Sequence, residues 1–561
     1  MSLKLKKTSF LFLLIIFLFN PLVSNQIIFE KKDLLNNGQF SNNISEIGNE
    51  DLESKIWSEI FLNKSFDDIE LFISNIPNKS SNAVVQELIF KFLSSKKKIT
   101  NNLVNSEQDS VILELYINQL FETGRINEIE LYYSQSPDLK NNEFVLKKMI
   151  EGNLLRNRHN EACKILENKT NNTPKLFGKI IIICDILNNR FDQAKLGLSL
   201  LKEQNKPGDI FFIDLAYSLM SQENISESDN LKKNLEQIKT LNPIIMSSLQ
   251  FADISPSYEQ IENLNTSGLL FILSNPTVDT DLKVFCSEIL VKQGRIGVDM
   301  LSEAYQLSRF KNSEVENALR LYKTLSPAKA RPLLYQSILR ENNNEIKLKK
   351  ILALLKSSAN DNLLKQISIL IGDFLPPLEI LEEKEDILLV AKMFQSKKNF
   401  FMAESILGKL KHLNKDPEVL FREISLEIAK SLDNQEIDLD SLETKLVELN
   451  KMEKVNFQEF RKIMMVLILN INFSQNIVNV INEVNFLISG KDDAVNLQNL
   501  FLAERFSKEG DLFNSLITFF KIIGNKDFED LELLENYEAL MILRNLGFEA
   551  ELKALSESII L

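Results

Sequence analysis

From residue 51 to the end, apolar positions recur at three- and four-residue spacing almost without a break. Between Val111 and Phe121, the residues Val111, Leu113, Leu115, Tyr116, Ile117, Leu120 and Phe121 cover one broad helical face. The stretches Leu348–Leu355 and Phe501–Phe520 follow the same rule. A strand would alternate with period two between turn residues. No sustained alternation of that kind occurs, so the pattern predicts an all-α chain with no sheet.

A second, longer pattern lies on top of the helical one. A turn residue is followed by a polar residue, then an apolar one, and three positions later by a small one. It reads Gly-Arg-Ile-Asn-Glu-Ile at 124, Asn-Arg-His-Asn-Glu-Ala at 157 and Asn-Arg-Phe-Asp-Gln-Ala at 189. It returns at 223 and 294, as Lys-Asn-Phe-Phe-Met-Ala at 398, as Gly-Asp-Leu-Phe-Asn-Ser at 510, and at 545. The first four starts are 33, 32 and 34 residues apart, and the later gaps of 71, 104, 112 and 35 are near multiples. Proline cannot continue a helix and gives an independent phase. Pro137, Pro174, Pro207, Pro243 and Pro276 are separated by 37, 33, 36 and 33 residues, so each is expected to end a unit.

This spacing resembles the tetratricopeptide repeat, a helix–turn–helix unit of about 34 residues. In that family a Gly closes the first helix, an aromatic follows two residues later, an Ala five residues later, and a Pro ends the second helix. Asn157, His159, Ala162 and Pro174 match those positions. So do Asn189, Phe191, Ala194 and Pro207, and again Lys398, Phe400, Ala403 and Pro417. Gly124 and Gly510 hold the turn position with glycine itself. The Trp and Leu-Gly signature of the first helix is mostly missing, and the match is strongest between 110 and 280. The resemblance implies an irregular right-handed α-solenoid of stacked antiparallel helix pairs over 51–561, roughly fourteen pairs of about 35 residues each. Ala162, Ala194 and Ala403 would let paired helices approach closely. Phe191 and Phe400 would fill the space between units, and Phe401, Phe519 and Phe520 are expected in the core.

Composition agrees with helices and short loops. A single compact core does not grow to 561 residues, so an array is expected. Gly (16) and Pro (13) are both scarce, which argues against the many turns of a sheet-rich fold. The N-terminus adds a targeting signal: Lys4, Lys6 and Lys7, an apolar run from Phe10 to Phe19, a break at Asn20-Pro21, then Leu22, Val23 and Ser24. Residues 1–25 read as a secretory signal peptide, with an uncleaved anchor as the alternative. The apolar run falls short of the ~20 residues a membrane span needs, and no transmembrane span is expected in the mature chain. Residues 26–50 read as a flexible polar lead. The expected location is the periplasm or cell envelope. There, Cys163 and Cys184 either pair or, with Cys286, serve as small buried residues. Trp57 is expected to cap the first repeat, with a partner anchor as the alternative.

Chemistry is sparse. The formal charge of −13 argues against nucleic acid, and the short runs Lys96–Lys98 and Lys347, Lys349, Lys350 read as solvated helix ends. His159 occupies the aromatic repeat position, and His412 suits a helix C-terminus. No zinc-binding helix motif, phosphate loop, dinucleotide fingerprint or nucleophile elbow is found. No cofactor, metal or catalytic residue is therefore expected, and the chain is not read as an enzyme. Glu404-Ser405 superficially resembles the acid of bacterial cell-wall lyases, without the Gly-rich loops such a domain needs. Glu382-Glu383 and Asp492-Asp493 read as solvated faces. The expected role is a scaffold that binds a protein or peptide partner of basic character on a concave surface. The alternative is a glycan-active envelope enzyme, which would show a groove with paired carboxylates and exposed Tyr or Trp.

Overall fold

The computed structural model describes residues 60–61, 64–80, 82–94, 107–135, 139, 142–167, 174–204, 209–221, 229–413, 415–452, 457–470, 504–524 and 526–561. The signal-like segment, the polar lead, Trp57, Lys96–Lys98, Pro137, Pro207, the turn at 223 and Asp492-Asp493 lie outside these residues. Among the described residues the protein is all-helical, with no strand.

The first helices are α1 (Phe66–Ser74), α2 (Ala83–Ser94), α3 (Glu107–Glu122), α4 (Ile126–Gln135), α5 (Glu143–Leu155) and α6 (His159–Glu167). There follow α7 (Pro174–Leu187), α8 (Phe191–Glu203), α9 (Ile210–Ser221), α10 (Asp229–Glu236), α11 (Pro243–Phe251) and α12 (Tyr258–Glu262). The middle holds α13 (Thr266–Ser274), α14 (Thr280–Lys292), α15 (Val298–Leu307), α16 (Asn312–Glu316), α17 (Ala318–Leu321), α18 (Pro327–Arg340), α19 (Asn344–Ala359) and α20 (Leu364–Ile371). The last are α21 (Lys384–Ser396), α22 (Phe400–Leu407), α23 (Pro417–Leu432), α24 (Leu439–Asn450), α25 (Phe457–Asn470), α26 (Leu512–Ile523), α27 (Leu533–Leu546) and α28 (Glu549–Ile560).

One local device turns the chain between many consecutive helices. Gly124, Asn157, Asn189, Gly294, Lys398, Gly510 and Gly547 all have positive φ, between 57° and 81°. At each turn the next N–H reaches back five residues. Arg125 donates to the Leu120 carbonyl at 2.7 Å, Arg158 to Asn153 at 2.8 Å and Arg190 to Asp185 at 2.7 Å. Arg295 donates to Leu290 at 2.8 Å and Asn399 to Phe394 at 2.9 Å. This left-handed cap satisfies carbonyls that the helix end would leave bare, and Gly or Asn adopts it most readily. Lys398 holds it without that advantage, and its ammonium is braced by Asp433 and Glu557, each at 2.9 Å. Asp253, Asn362 and Asn434 form the same kind of turn outside the recurring sequence pattern.

The small residue after each turn is fully buried: Ala162, Ala194 and Ala403. Pro174, Pro243 and Pro417 stand at the first residue of α7, α11 and α23. They open the following helix, where the missing N–H costs nothing, rather than close the preceding one. The expected face of α3 is buried except at Leu115, which is half-buried, and at its edge, where Val111 is exposed. Phe519 and Phe520 are core, as is Phe400, but Phe401 is 78% exposed. Neighbouring residues on a helix point about 100° apart. A helix covered on one side, such as α22, cannot bury both.

Stacking is not confined to chain neighbours. Consecutive helices do pack, as in α3 with α4, α7 with α8, α13 with α14 and α21 with α22. Two returns break the simple row. Helix α11 packs on α5, and α13 on α3 and α5. Later, α26 packs on α1, and α28 on α2. An aromatic cluster seals the second return, with Phe72 5.2 Å from Phe513 and 5.8 Å from Phe520 between ring centroids. Lys91 pairs with Glu551 at 2.8 Å, and the Asn82 amide donates to Glu529 at 3.0 Å. A single apolar core consequently runs from Ile60 to Ile560. A smaller core holds Leu146, Ile150, Leu154, Leu166, Phe177 and Ile180 around a disulfide between Cys163 and Cys184, whose Cα atoms lie 5.6 Å apart. Cys286 is a buried free thiol.

Candidate functional site

A cleft of about 1010 Å³ is walled by five separate segments. The start of α12 gives Tyr258, α14 gives Asp279–Leu282, Phe285 and Glu288, and the start of α18 gives Pro327 and Arg331. The turn after α19 adds Asp361 and Asn362. The loop after α26 adds Asp527 and Asp530. Each segment is placed by local chemistry. A capping box between Ser257 and Gln260 starts α12, and Pro327 starts α18. The positive φ of Asn362 turns the chain after α19.

The cleft floor is a buried charge network. Glu288 accepts from Arg331 Nε at 2.7 Å and Nη2 at 2.5 Å, and from the Tyr305 hydroxyl at 2.7 Å. Arg331 also donates to the Ser357 carbonyl at 3.1 Å and to Asp361 at 2.5 Å. Burial works against the Arg331 charge, but its bonds and charge interaction with Glu288 outweigh it and hold the guanidinium protonated. Burial first, then the Glu288 charge, pushes the Tyr305 hydroxyl far up, so it stays a neutral donor. Arg331 and Tyr305 therefore both keep their protons at neutral pH.

The rim differs. Tyr258 is 49% exposed, and its ring lies 4.6 Å from that of Phe285. Burial, then the charges of Glu262 and Glu288, raise its hydroxyl above the usual value, so it remains neutral. Lys292 is tied to Asp527 at 3.4 Å and Lys329 to Asp281 at 3.0 Å. Asp279 and Asp530 are exposed, and among the described residues neither carboxylate pairs with a cation. Six carboxylates and two cations line the cleft, so its field is negative. An aromatic shelf beside unpaired carboxylates suits a lysine or arginine side chain, which gains from both the ring face and the charges.

None of the repeat positions Gly124, Asn157, Ala162, Asn189, Phe191, Ala194, Phe400, Ala403 and Gly510 lines this cleft. They lie at turns and in helix interfaces. His159 places Nε2 3.0 Å from the Ser247 hydroxyl, with its ring 4.4 Å from Phe251. Burial, opposed by Glu161, pulls it down to about 4, so it packs as a neutral aromatic. His412 is exposed on the 3₁₀ segment Gly408–Leu413. Glu404 is a surface residue paired with Lys430. Lys350, read from sequence as solvated, is buried and bound to Glu341 at 2.8 Å because its side chain lies under the α18–α19 turn.

Sequence reasoning passed over Tyr258, Asp279 and Asp530. The capping box at 257 was visible, but nothing local relates Asp530 to residues some 250 positions earlier. Among the described residues no group of three His, Cys, Asp or Glu could hold a metal ion, and no helix is long and apolar enough to cross a membrane. Comparison of the chain with protein-family models, curated proteins and solved structures gives no match in any of the three.

Proposed function

We propose that this chain is an exported helical scaffold that seats a basic segment of a partner protein in the acidic cleft. The observation that carries this reading is the pairing of the exposed Tyr258 shelf with the unpaired carboxylates of Asp279 and Asp530. An irregular, tetratricopeptide-like α-solenoid folded back on itself accounts for the recurring left-handed turns and buried alanines. Export to the periplasm or cell envelope rests on the Lys-headed apolar run near residue 10. It draws further support from the Cys163–Cys184 disulfide, because such bonds persist in oxidising compartments.

The test is binding of a short lysine-rich peptide, with a glutamate-rich peptide as control, followed by fluorescence anisotropy. The lysine peptide should bind more weakly as salt rises. Affinity should fall at least tenfold in Tyr258→Ala combined with Asp279→Asn and Asp530→Asn. Equal binding of both peptides, or an unaffected triple variant, would overturn the reading. The exposed tyrosine beside carboxylates also favours a second reading, a glycan-active envelope enzyme. Release of soluble fragments from purified cell wall, lost in Asp279→Asn, would establish that alternative.

A further inference from the structure

A second charged site lies on the other side of the electrostatic balance. Helix α23 packs between α21 and α25, and each contributes a cation to the junction. Lys392 lies one turn before Gln395 on α21. The Gln395 amide donates to the Ser425 carbonyl of α23 at 3.4 Å, and its oxygen accepts from Arg422 Nη1 at 3.3 Å. Lys462 stands on α25, one turn after Glu459. All three cations are half-buried. Among the described residues, Lys392 and Lys462 take part in no ion pair or hydrogen bond, and Arg422 makes only the bond to Gln395.

The acids of α23 near the junction are engaged by other lysines. On α23, Glu418 is held by Lys384 at 2.6 Å, Glu423 by Lys445 at 3.0 Å and Glu427 by Lys430 at 3.6 Å. Among the described residues, the exposed Glu459 acts on both Lys392 and Arg422. The cations act on one another as well. Burial first, then the Arg422 charge, pulls Lys392 down to about 8, with Glu459 opposing and Lys462 adding to the shift; burial, opposed by Glu459, pulls Arg422 to about 10. Lys392 also borders a cavity of about 160 Å³ shared with Lys365, Ser396 and Ser558. Among the described residues, three cations thus share one exposed carboxylate, Glu459, with which none of them forms an ion pair. Uncompensated, such a cluster costs stability, because desolvated like charges repel.

We propose that Lys392, Arg422 and Lys462 form a binding site for a phosphate-class oxyanion. The planar guanidinium offers a two-toothed fork to tetrahedral oxygens, and the two ammonium groups supply point charge. This site is independent of the acidic cleft and needs no basic partner.

The test uses the full chain, with inorganic phosphate as the probe and chloride at matched ionic strength as the control. Phosphate should raise the thermal midpoint of the wild type and give a saturable isotherm by titration calorimetry. Binding should weaken at least tenfold in Arg422→Gln and in Lys392→Met. Without phosphate, both variants should be as stable as the wild type or more so, since repulsion has been removed. Lys462→Met, on a different helix, provides a second reading if either variant misfolds. The proposal fails if chloride stabilises equally, if the variants respond to phosphate like the wild type, or if they lose stability in its absence. Saturation by phosphate alone would mark a small-molecule site. Competition by phosphorylated glycan fragments at equal phosphate would show that the same site takes a polymer-borne group.

Discussion

Removing Glu288 alone should be among the most damaging single changes in the middle of this protein. Its side chain is 7% exposed and that of Arg331 is 3% exposed. Three donors converge on it, two from Arg331 and one from Tyr305. Glu288→Leu leaves a buried guanidinium with only Asp361, which is 44% exposed, and the Ser357 carbonyl. Breaking a buried pair from one side typically costs about 3–5 kcal/mol, because the remaining charge is uncompensated. The orphaned Tyr305 hydroxyl accounts for roughly 1–3 kcal/mol of such losses when nothing replaces its acceptor. The triple change Glu288→Leu, Tyr305→Phe, Arg331→Met removes every orphan at once and should recover to within about 2 kcal/mol of the wild type. Urea denaturation followed by circular dichroism measures the total. Hydrogen exchange in α14 and α18 measures the local loss, which matters because a chain of this size need not unfold in one step. A single-variant cost below 1 kcal/mol, or a triple variant as weak as the single one, would refute the reasoning.

Four other outcomes are expected. Cys163 and Cys184 close a loop of 21 residues, so replacing both with Ala should cost about 3 kcal/mol; peptide mapping without reductant should find this pair joined and Cys286 free. Phe400→Ala should cost about 3–5 kcal/mol, whereas Phe401→Ala should stay within about 0.5 kcal/mol, as read from denaturation midpoints at constant slope. Burial, then the Glu535 charge, pushes the 4%-exposed Glu538 up to about 7. The unfolded carboxyl loses its proton near pH 4.3, so between there and pH 7 the folded state holds the extra proton. Stability should therefore fall by up to about 3 kcal/mol as pH rises through that window, and Glu538→Gln should flatten the fall. His159 works in the opposite sense. Its proton affinity is depressed in the fold, so its contribution rises with pH from about 4 to 6.5, and His159→Phe should remove that rise.

The sequence by itself determined the local structure. Helical periodicity, scarce glycine and the absence of alternation already specify an all-helical chain. The recurring turn residue is a backbone requirement, because a left-handed cap selects Gly or Asn whatever surrounds it. Gly124, Asn157, Asn189 and Gly510 could thus be placed before any contact was known. The alanines were legible for a similar reason, since a helix interface too close for a larger side chain selects a small one at a fixed distance from the turn.

Tertiary structure decided what periodicity cannot express. Phe400 and Phe401 are chemically identical, and only the neighbour that covers α22 selects which is buried. The returns of α11 onto α5 and of α28 onto α2 join residues far apart in the chain through faces that any amphipathic helix offers. The acidic cleft and the cationic junction arise from those same meetings. Asp530 comes near Tyr258, and Arg422 near Lys392, because packed helices bring them there. Charges act through space, and one-dimensional spacing records no distance between separate helices.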